Sequence, residues 1–199
     1  MNRLLRWNAT AALALLGATA ILPAEAQLLD PSSFYGTLGY SDISGRELTN
    51  GAVTGRLGVR FWNYLGVEGE LSVGINESHF LYSPPCKAPI CTVPIFHMGS
   101  RLQNAEGIYA VGYLPLSPNA DLFVRGGYGF ANYSTSVSFF NGFSDQGLAF
   151  GGGGQYYFDG ANGVRFDYTR QEDQSTDFVG QRAFGSGVNV WSIAYTRKF

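Results

Sequence analysis

With 13 lysines and arginines against 15 aspartates and glutamates in 199 residues, a formal net charge of −2, the chain has no basic excess with which to hold a nucleic-acid backbone. Its 27 glycines and its aromatic share of 15% suit a β-rich fold that puts aromatic side chains on a surface. No run after the first 26 residues approaches the length of a membrane-spanning helix.

The amino terminus reads as a secretory signal peptide over residues 1–26. Arg3 and Arg6 supply the positive start, residues 9–22 are mainly apolar, and Ala24-Glu25-Ala26 fits the small-x-small cleavage pattern. Gln27 rather than a cysteine follows, which removes the simplest lipoprotein reading. The remaining residues, 27–199, have a length suited to one domain.

The first strand starts at Phe34, with Phe34, Leu38 and Tyr40 on one face, and a mostly polar stretch over 42–50 reads as a loop. Residues 53–75 then form a hairpin. Val53, Leu57, Val59 and Phe61 share a face, with Arg56, Arg60 and Trp62 opposite; in the second run Val67, Leu71, Val73 and Ile75 oppose Glu68 and Glu70. The faces match across the ribbon only if the loop is odd, so Tyr64-Leu65-Gly66 is expected as a three-residue loop with Gly66 in the left-handed position. That register places Arg60 opposite Glu70 and diagonal to Glu68, with Arg56 further along.

Residues 76–106 hold Pro84, Pro85, Pro89 and Pro94, a density that denies a central strand and predicts a long loop. Within it Cys86 and Cys91 are expected to form a local disulfide, since an exported chain meets oxidising chemistry. A metal site combining these thiols with His79 and His97 is the alternative, but the spacing matches no standard zinc pattern, and no metal or cofactor is expected.

Strand character returns at 107–114, and a turn over 116–120 leads to a partner over 121–133, in which Leu122, Val124, Tyr128 and Phe130 face one way and Arg125 the other. After a loop over 134–146, a third hairpin pairs 147–158 with 164–171 through a turn at 159–163, with Arg165 and Asp167 opposite Val164, Phe166 and Tyr168. The glycine run 151–154 has neither a following Lys-Ser/Thr nor a helix signal, so it reads as strand and not as a phosphate loop. A polar loop over 172–187 precedes the last strand.

This is an all-β chain of eight strands in which short turns alternate with longer loops, so the short turns fall at one end. About ten residues rising ~3.3 Å each at ~45° cross the apolar part of a membrane. The pattern predicts an eight-stranded antiparallel up-and-down transmembrane β-barrel, integral to a bacterial outer membrane and surrounded by its lipid and lipopolysaccharide.

The stretch from Gly51 to Phe61, with Gly66-Val67-Glu68-Gly69-Glu70 and the terminal Phe199, resembles the OmpA-like eight-stranded outer-membrane barrels, often labelled porin-family barrel proteins. The resemblance implies that Trp191, Ile193, Tyr195 and Phe199 form the signal read by the barrel assembly machinery. Arg197 departs from that pattern, where a hydrophobic residue is usual. The peptidoglycan-binding domain of larger OmpA proteins is not expected here.

In such a barrel an Arg or Lys facing lipid at midplane costs about 2–4 kcal/mol, so Arg56, Arg60, Glu68, Glu70, Arg125, Arg165 and Asp167 are expected to point inward as a lumen charge network. Gly58, Gly127, Gly129, Gly151 and Gly153 are expected to leave room for them. The network reads either as structural filling or as a narrow ion path or gate; eight strands enclose only their own side chains, which excludes a general diffusion pore. Some small outer-membrane barrels modify lipid, but no strand here presents a His with a Ser two residues away, and no catalytic residues are assigned. The loop 76–106 is the best candidate for binding a surface ligand.

Overall fold

The computed structural model describes residues 34–45, 49–61, 63–82, 96–135, 143–172 and 187–199, and among them no helix occurs. The strands are β1 (Phe34–Ser44), β2 (Thr49–Phe61), β3 (Leu65–Gly74), β4 (Glu77–Tyr82), β5 (Phe96–Ser117), β6 (Ala120–Thr135), β7 (Phe143–Tyr157), β8 (Asn162–Gln171) and β9 (Val188–Lys198). Each pairs antiparallel with its neighbours, β1 pairs with β9, and β3 pairs with β5, which closes the sheet. Residues Ile75 and Asn76 interrupt the run from β3 to β4, so β4 extends the third wall strand along the far half of β5. The barrel is therefore eight-stranded, all-β and antiparallel.

Alternation sets the two faces. Along β9, Trp191, Ile193 and Tyr195 are exposed while Ser192, Ala194 and Thr196 are buried; along β8, Val164 and Phe166 are exposed while Arg165 and Asp167 are buried. The apolar set faces outward and the small or polar set inward, the arrangement that lipid around a barrel demands. The short connections between β2 and β3, between β5 and β6 and between β7 and β8 occupy one end of the barrel.

The first hairpin differs from the expected register. Phe61 pairs with Leu65, so the three-residue loop is 62–64 and Asn63, with φ 65°, takes the left-handed position instead of Gly66. The loop is odd, as the faces require, but lies two residues earlier. Arg56 therefore stands opposite Glu70, and Arg60 stands opposite Gly66.

The segment expected as a loop over 76–106 is strand at both ends. Its four prolines all fall within 84–94, between β4 and β5, so the flanking residues remain free to pair. Likewise β1 and β2 run into the expected 42–50 loop, and β6 and β7 run into the expected 134–146 loop. β5 alone has 22 residues, roughly 55 Å of tilted strand, about twice what the apolar layer needs. Cys86 and Cys91 lie outside the described residues.

Candidate functional site: a charged lumen

The interior is layered from the turn end to the loop end. At the turn end Arg60 donates to Asp121 through Nη1 (2.9 Å) and Nη2 (3.2 Å), and Gln155 Nε2 donates to the same carboxylate (3.0 Å). Arg60 also caps the Asn63 carbonyl, and its guanidinium lies 4.3 Å above the Tyr113 ring. Lys198 Nζ sits 3.7 Å from the centre of the Tyr157 ring. Arg60 is thus separate from the other six charges: the loop two residues earlier moves its cross-strand partner from Glu70 to Gly66 and leaves it near the mouth, where β6 supplies Asp121 as its partner.

The central layer unites the other six expected residues. Glu68 accepts from Arg165 Nη1 (2.6 Å) and Nη2 (3.2 Å), from Arg125 Nη1 (3.0 Å) and from the Tyr35 hydroxyl (2.9 Å). Glu70 accepts from Arg56 Nε (2.6 Å) and Arg125 Nη1 (2.8 Å). Asp167 lies 3.3 Å from both Arg56 Nη2 and Arg125 Nη2, and 3.4 Å from Arg165 Nε. These side chains are fully buried except that of Glu70, which is 12% exposed. Three guanidinium groups face three carboxylates, so the cluster balances its own charge, a condition that enclosure in low dielectric makes severe.

Aromatic rings complete the layer, and the charge network expected from the sequence does not include them. Arg165 lies 4.0 Å above Phe123 and Arg125 lies 4.3 Å above Tyr109; a weakly hydrated planar cation is well suited to a ring face. Tyr113 donates to Tyr35 (2.8 Å), whose hydroxyl passes the chain on to Glu68. The available signal was parity: Phe123 shares a face with Arg125, and Tyr35 with Thr37.

Glycine matters at Gly58, where an added Cβ would fall 2.2 Å from the Tyr35 ring, so this glycine does make room for an inward side chain. Gly129 similarly admits the Gln171 side chain. At Gly127, Gly151 and Gly153, by contrast, a Cβ would meet the neighbouring strand's carbonyl at 2.0–2.1 Å. Those three glycines allow close strand approach; they do not create space for the charges.

Beyond the charges lies a belt of hydroxyls. Ser41 hydrogen-bonds Thr54 and Ser192, and Thr54 hydrogen-bonds Ser72, each at 2.7 Å; Arg56 Nη2 donates to Ser192 (3.0 Å) and ties the belt to the cluster. Beyond the belt is an apolar layer of Ile43, Ala52, Leu102, Ala131, Tyr133 and Val188, with Ala105 and Val190 packed against it. A cavity of about 30 Å³, with room for about one water, lies where the two layers meet, bordered by Glu70, Arg125 and Thr169 on the cluster side and by Ile43, Tyr133, Val188 and the buried Asp145 on the other.

The remaining expected residues fall elsewhere. Trp191, Ile193, Tyr195 and Phe199 lie on the outer face, Trp191 packs against Phe166 and Tyr168, and Phe199 N donates to the Phe34 carbonyl. Arg197 is outward, its guanidinium 5.9 Å from the Phe199 ring centre. His79 pairs through its backbone with Gly99, and Ser78 bonds the backbone of Thr49. Among the described residues no group of three His, Cys, Asp or Glu side chains could hold a metal ion.

The family described as outer membrane protein beta-barrel domain matches residues 10–191. Among solved structures the chain is similar to Ail, the attachment invasion locus protein of Yersinia pestis, in complex with the heparin analogue sucrose octasulfate. The two share 14% identity with a TM-score of 0.53, covering 83% of this chain and 97% of Ail. It is also similar to Neisserial surface protein A (10% identity, TM-score 0.55, covering 84% and 97%) and to the N-terminal barrel of Pseudomonas aeruginosa OprF (12%, 0.52, 84% and 98%). A search of curated proteins finds no match.

Proposed function

Because the chain belongs to the outer membrane protein beta-barrel domain family, we propose that it acts as a non-conducting integral barrel of the bacterial outer membrane whose role is structural or surface-interacting. The observation that carries this reading is the layering of the lumen. A permeating ion would have to separate Arg56, Arg125 and Arg165 from Glu68, Glu70 and Asp167, and then cross the apolar layer around Leu102 and Tyr133. Re-pairing of the charges, as in a gate, leaves that apolar layer in place. The network accordingly holds the strands together from inside.

Strands β4 to β7 support the surface role, since they continue past the apolar band on the side away from the short turns. Residues 1–26 serve as the export signal, the aromatic alternation ending at Phe199 is what the assembly machinery engages, and Cys86 and Cys91 staple the 83–95 connection. No catalytic group, cofactor or nucleic acid enters this reading.

A liposome-swelling assay with the refolded full chain tests it. Sugars and amino acids should enter no faster than in protein-free vesicles; influx that scales with the amount of protein would overturn it. Intact mass of the protein from outer membranes should correspond to a chain beginning at Gln27, with Cys86 and Cys91 unreactive to thiol reagents until reduced. A retained leader or two free thiols would remove those two assignments separately.

A further inference from the structure

Most outward positions on this barrel are apolar, but on β5 to β7 they give way to a hydrogen-bonded polar array. Asn104 Nδ2 donates to Glu106 Oε1 (3.1 Å), Asn132 Nδ2 donates to Asn104 Oδ1 (3.3 Å), and Ser144 Oγ donates to Asn132 Oδ1 (2.8 Å). Asn104 stands opposite Asn132, and Asn132 opposite Ser144, so the array crosses three adjacent strands in register. Asn132 alternates with buried Ala131 and Tyr133, and Ser144 precedes buried Asp145; the array therefore faces out.

Its height is set by the strand beneath it. From the outward Leu116 to Glu106 is about ten residues, which at ~3.3 Å each and the usual tilt rises ~25 Å, the height of the apolar band. Glu106 is paired with Leu71 on one side and on the other with Phe130, the last apolar residue on the outward face of β6 before Asn132. Just below, Tyr128 and Phe130 pack edge to face with centroids 5.1 Å apart. The array thus lies where hydrocarbon meets the headgroups of the outer leaflet.

Group capacities narrow the occupant. An Asn amide has two N–H donors and a carboxylate two oxygens, and the internal bonds use one of each at Asn104, Asn132 and Glu106. What remains for a visitor is donors set beside a charged acceptor. A phosphate offers acceptors alone and would meet the charge of Glu106. A sugar hydroxyl both gives and takes a hydrogen bond, so it can serve the amides and the carboxylate together.

We propose that this face of β5 to β7 is a docking site for the saccharide headgroup of an outer-leaflet glycolipid, whose acyl chains lie on Tyr128, Phe130 and Ile108. The proposal rests on the outer-membrane reading above and adds a site and a ligand class to it. The headgroup level and the aromatic floor select a lipid-linked sugar over a free one.

To test this, the full chain is refolded in phospholipid vesicles containing rough lipopolysaccharide, and the lipid retained through detergent extraction is measured by native mass spectrometry. The parent protein should retain glycolipid in preference to phospholipid, and chemical dephosphorylation of the glycolipid should leave retention unchanged. Asn104→Leu/Asn132→Leu should retain about tenfold less, from the loss of two amide partners, with phospholipid retention unaltered. Glu106→Leu, at an exposed position, provides a second variant should the double one fail to fold, and it too should lose retention. Equal retention by a folded variant, or loss on dephosphorylation, would overturn the proposal. Cross-linking of Asn132→Cys between copies, equally strong without glycolipid, would overturn it in favour of a second copy of the chain. Absence of heat-modifiable migration in the parent protein would instead count against the barrel reading itself.

Discussion

Replacing Glu68 by glutamine probes the charge layer most sharply. Glu68 accepts from two nitrogens of Arg165 and one of Arg125, as well as from Tyr35, and the ionic side chains around it are fully buried. Glutamine preserves the shape, but it removes one charge from a three-against-three set and points an NH2 group at a guanidinium that also donates. Breaking a buried pair on one side costs about 3–5 kcal/mol. Against a typical total of about 5–15 kcal/mol, Glu68→Gln should therefore shift the urea midpoint of the vesicle-embedded protein far downward, as read by tryptophan fluorescence and gel mobility. Glu70→Gln should cost less, because Glu70 is 12% exposed and borders the cavity, where water can take up the loss. Adding Arg165→Met to Glu68→Gln restores balance, and the double variant should be more stable than the sum of its parts. A Glu68→Gln midpoint within ~1 kcal/mol of the parent, or strict additivity in the double variant, would refute the reasoning.

Gly58→Ala should destabilise the barrel by about 1–3 kcal/mol, since its Cβ would strike the Tyr35 ring and break the Tyr113–Tyr35–Glu68 chain; an unchanged unfolding midpoint would count against that packing. In the turn after β7, the Asp159 carboxylate accepts from the backbone of Asn162 (2.6 Å) and Ala161 (3.0 Å) and from Asn162 Nδ2 (2.7 Å). The backbone hydrogen bond from Asn162, then its side chain, lower the Asp159 pKa from the ordinary 3.8 to about 2. With the folded value depressed, its stabilising contribution is complete above pH ~4 and is lost as pH falls toward ~2. NMR titration of the Asp159 carboxyl should show that midpoint, and a value near 3.8 would dismiss the turn.

Much of the wall was legible in the sequence because a strand's period of two leaves little choice: Leu57 and Arg56 cannot share a face, and lipid decides which one is outside. The parity of the first loop was legible for the same reason. Its position was not, since 62–64 and 64–66 satisfy the same parity, and the glycine preference favoured the wrong one. Asn63 tolerates a positive φ well enough that pairing Arg56 with Glu70 prevails. Proline density hides β4 and the start of β5, because the four prolines are confined to 84–94 while their density argues against strand across the whole of 76–106. The stacking of Arg125 on Tyr109 and the Arg60–Asp121 pair join distant strands, and no pattern within one strand reveals them.

Single-channel recording of the full chain in planar bilayers at neutral pH tests the sealed lumen most directly. Balanced buried charges capped by the Ile43, Leu102, Tyr133 and Val188 layer predict a baseline current with no discrete open level, for the parent protein and for Glu70→Gln alike. A stable, ohmic conductance from the folded parent protein would contradict the account.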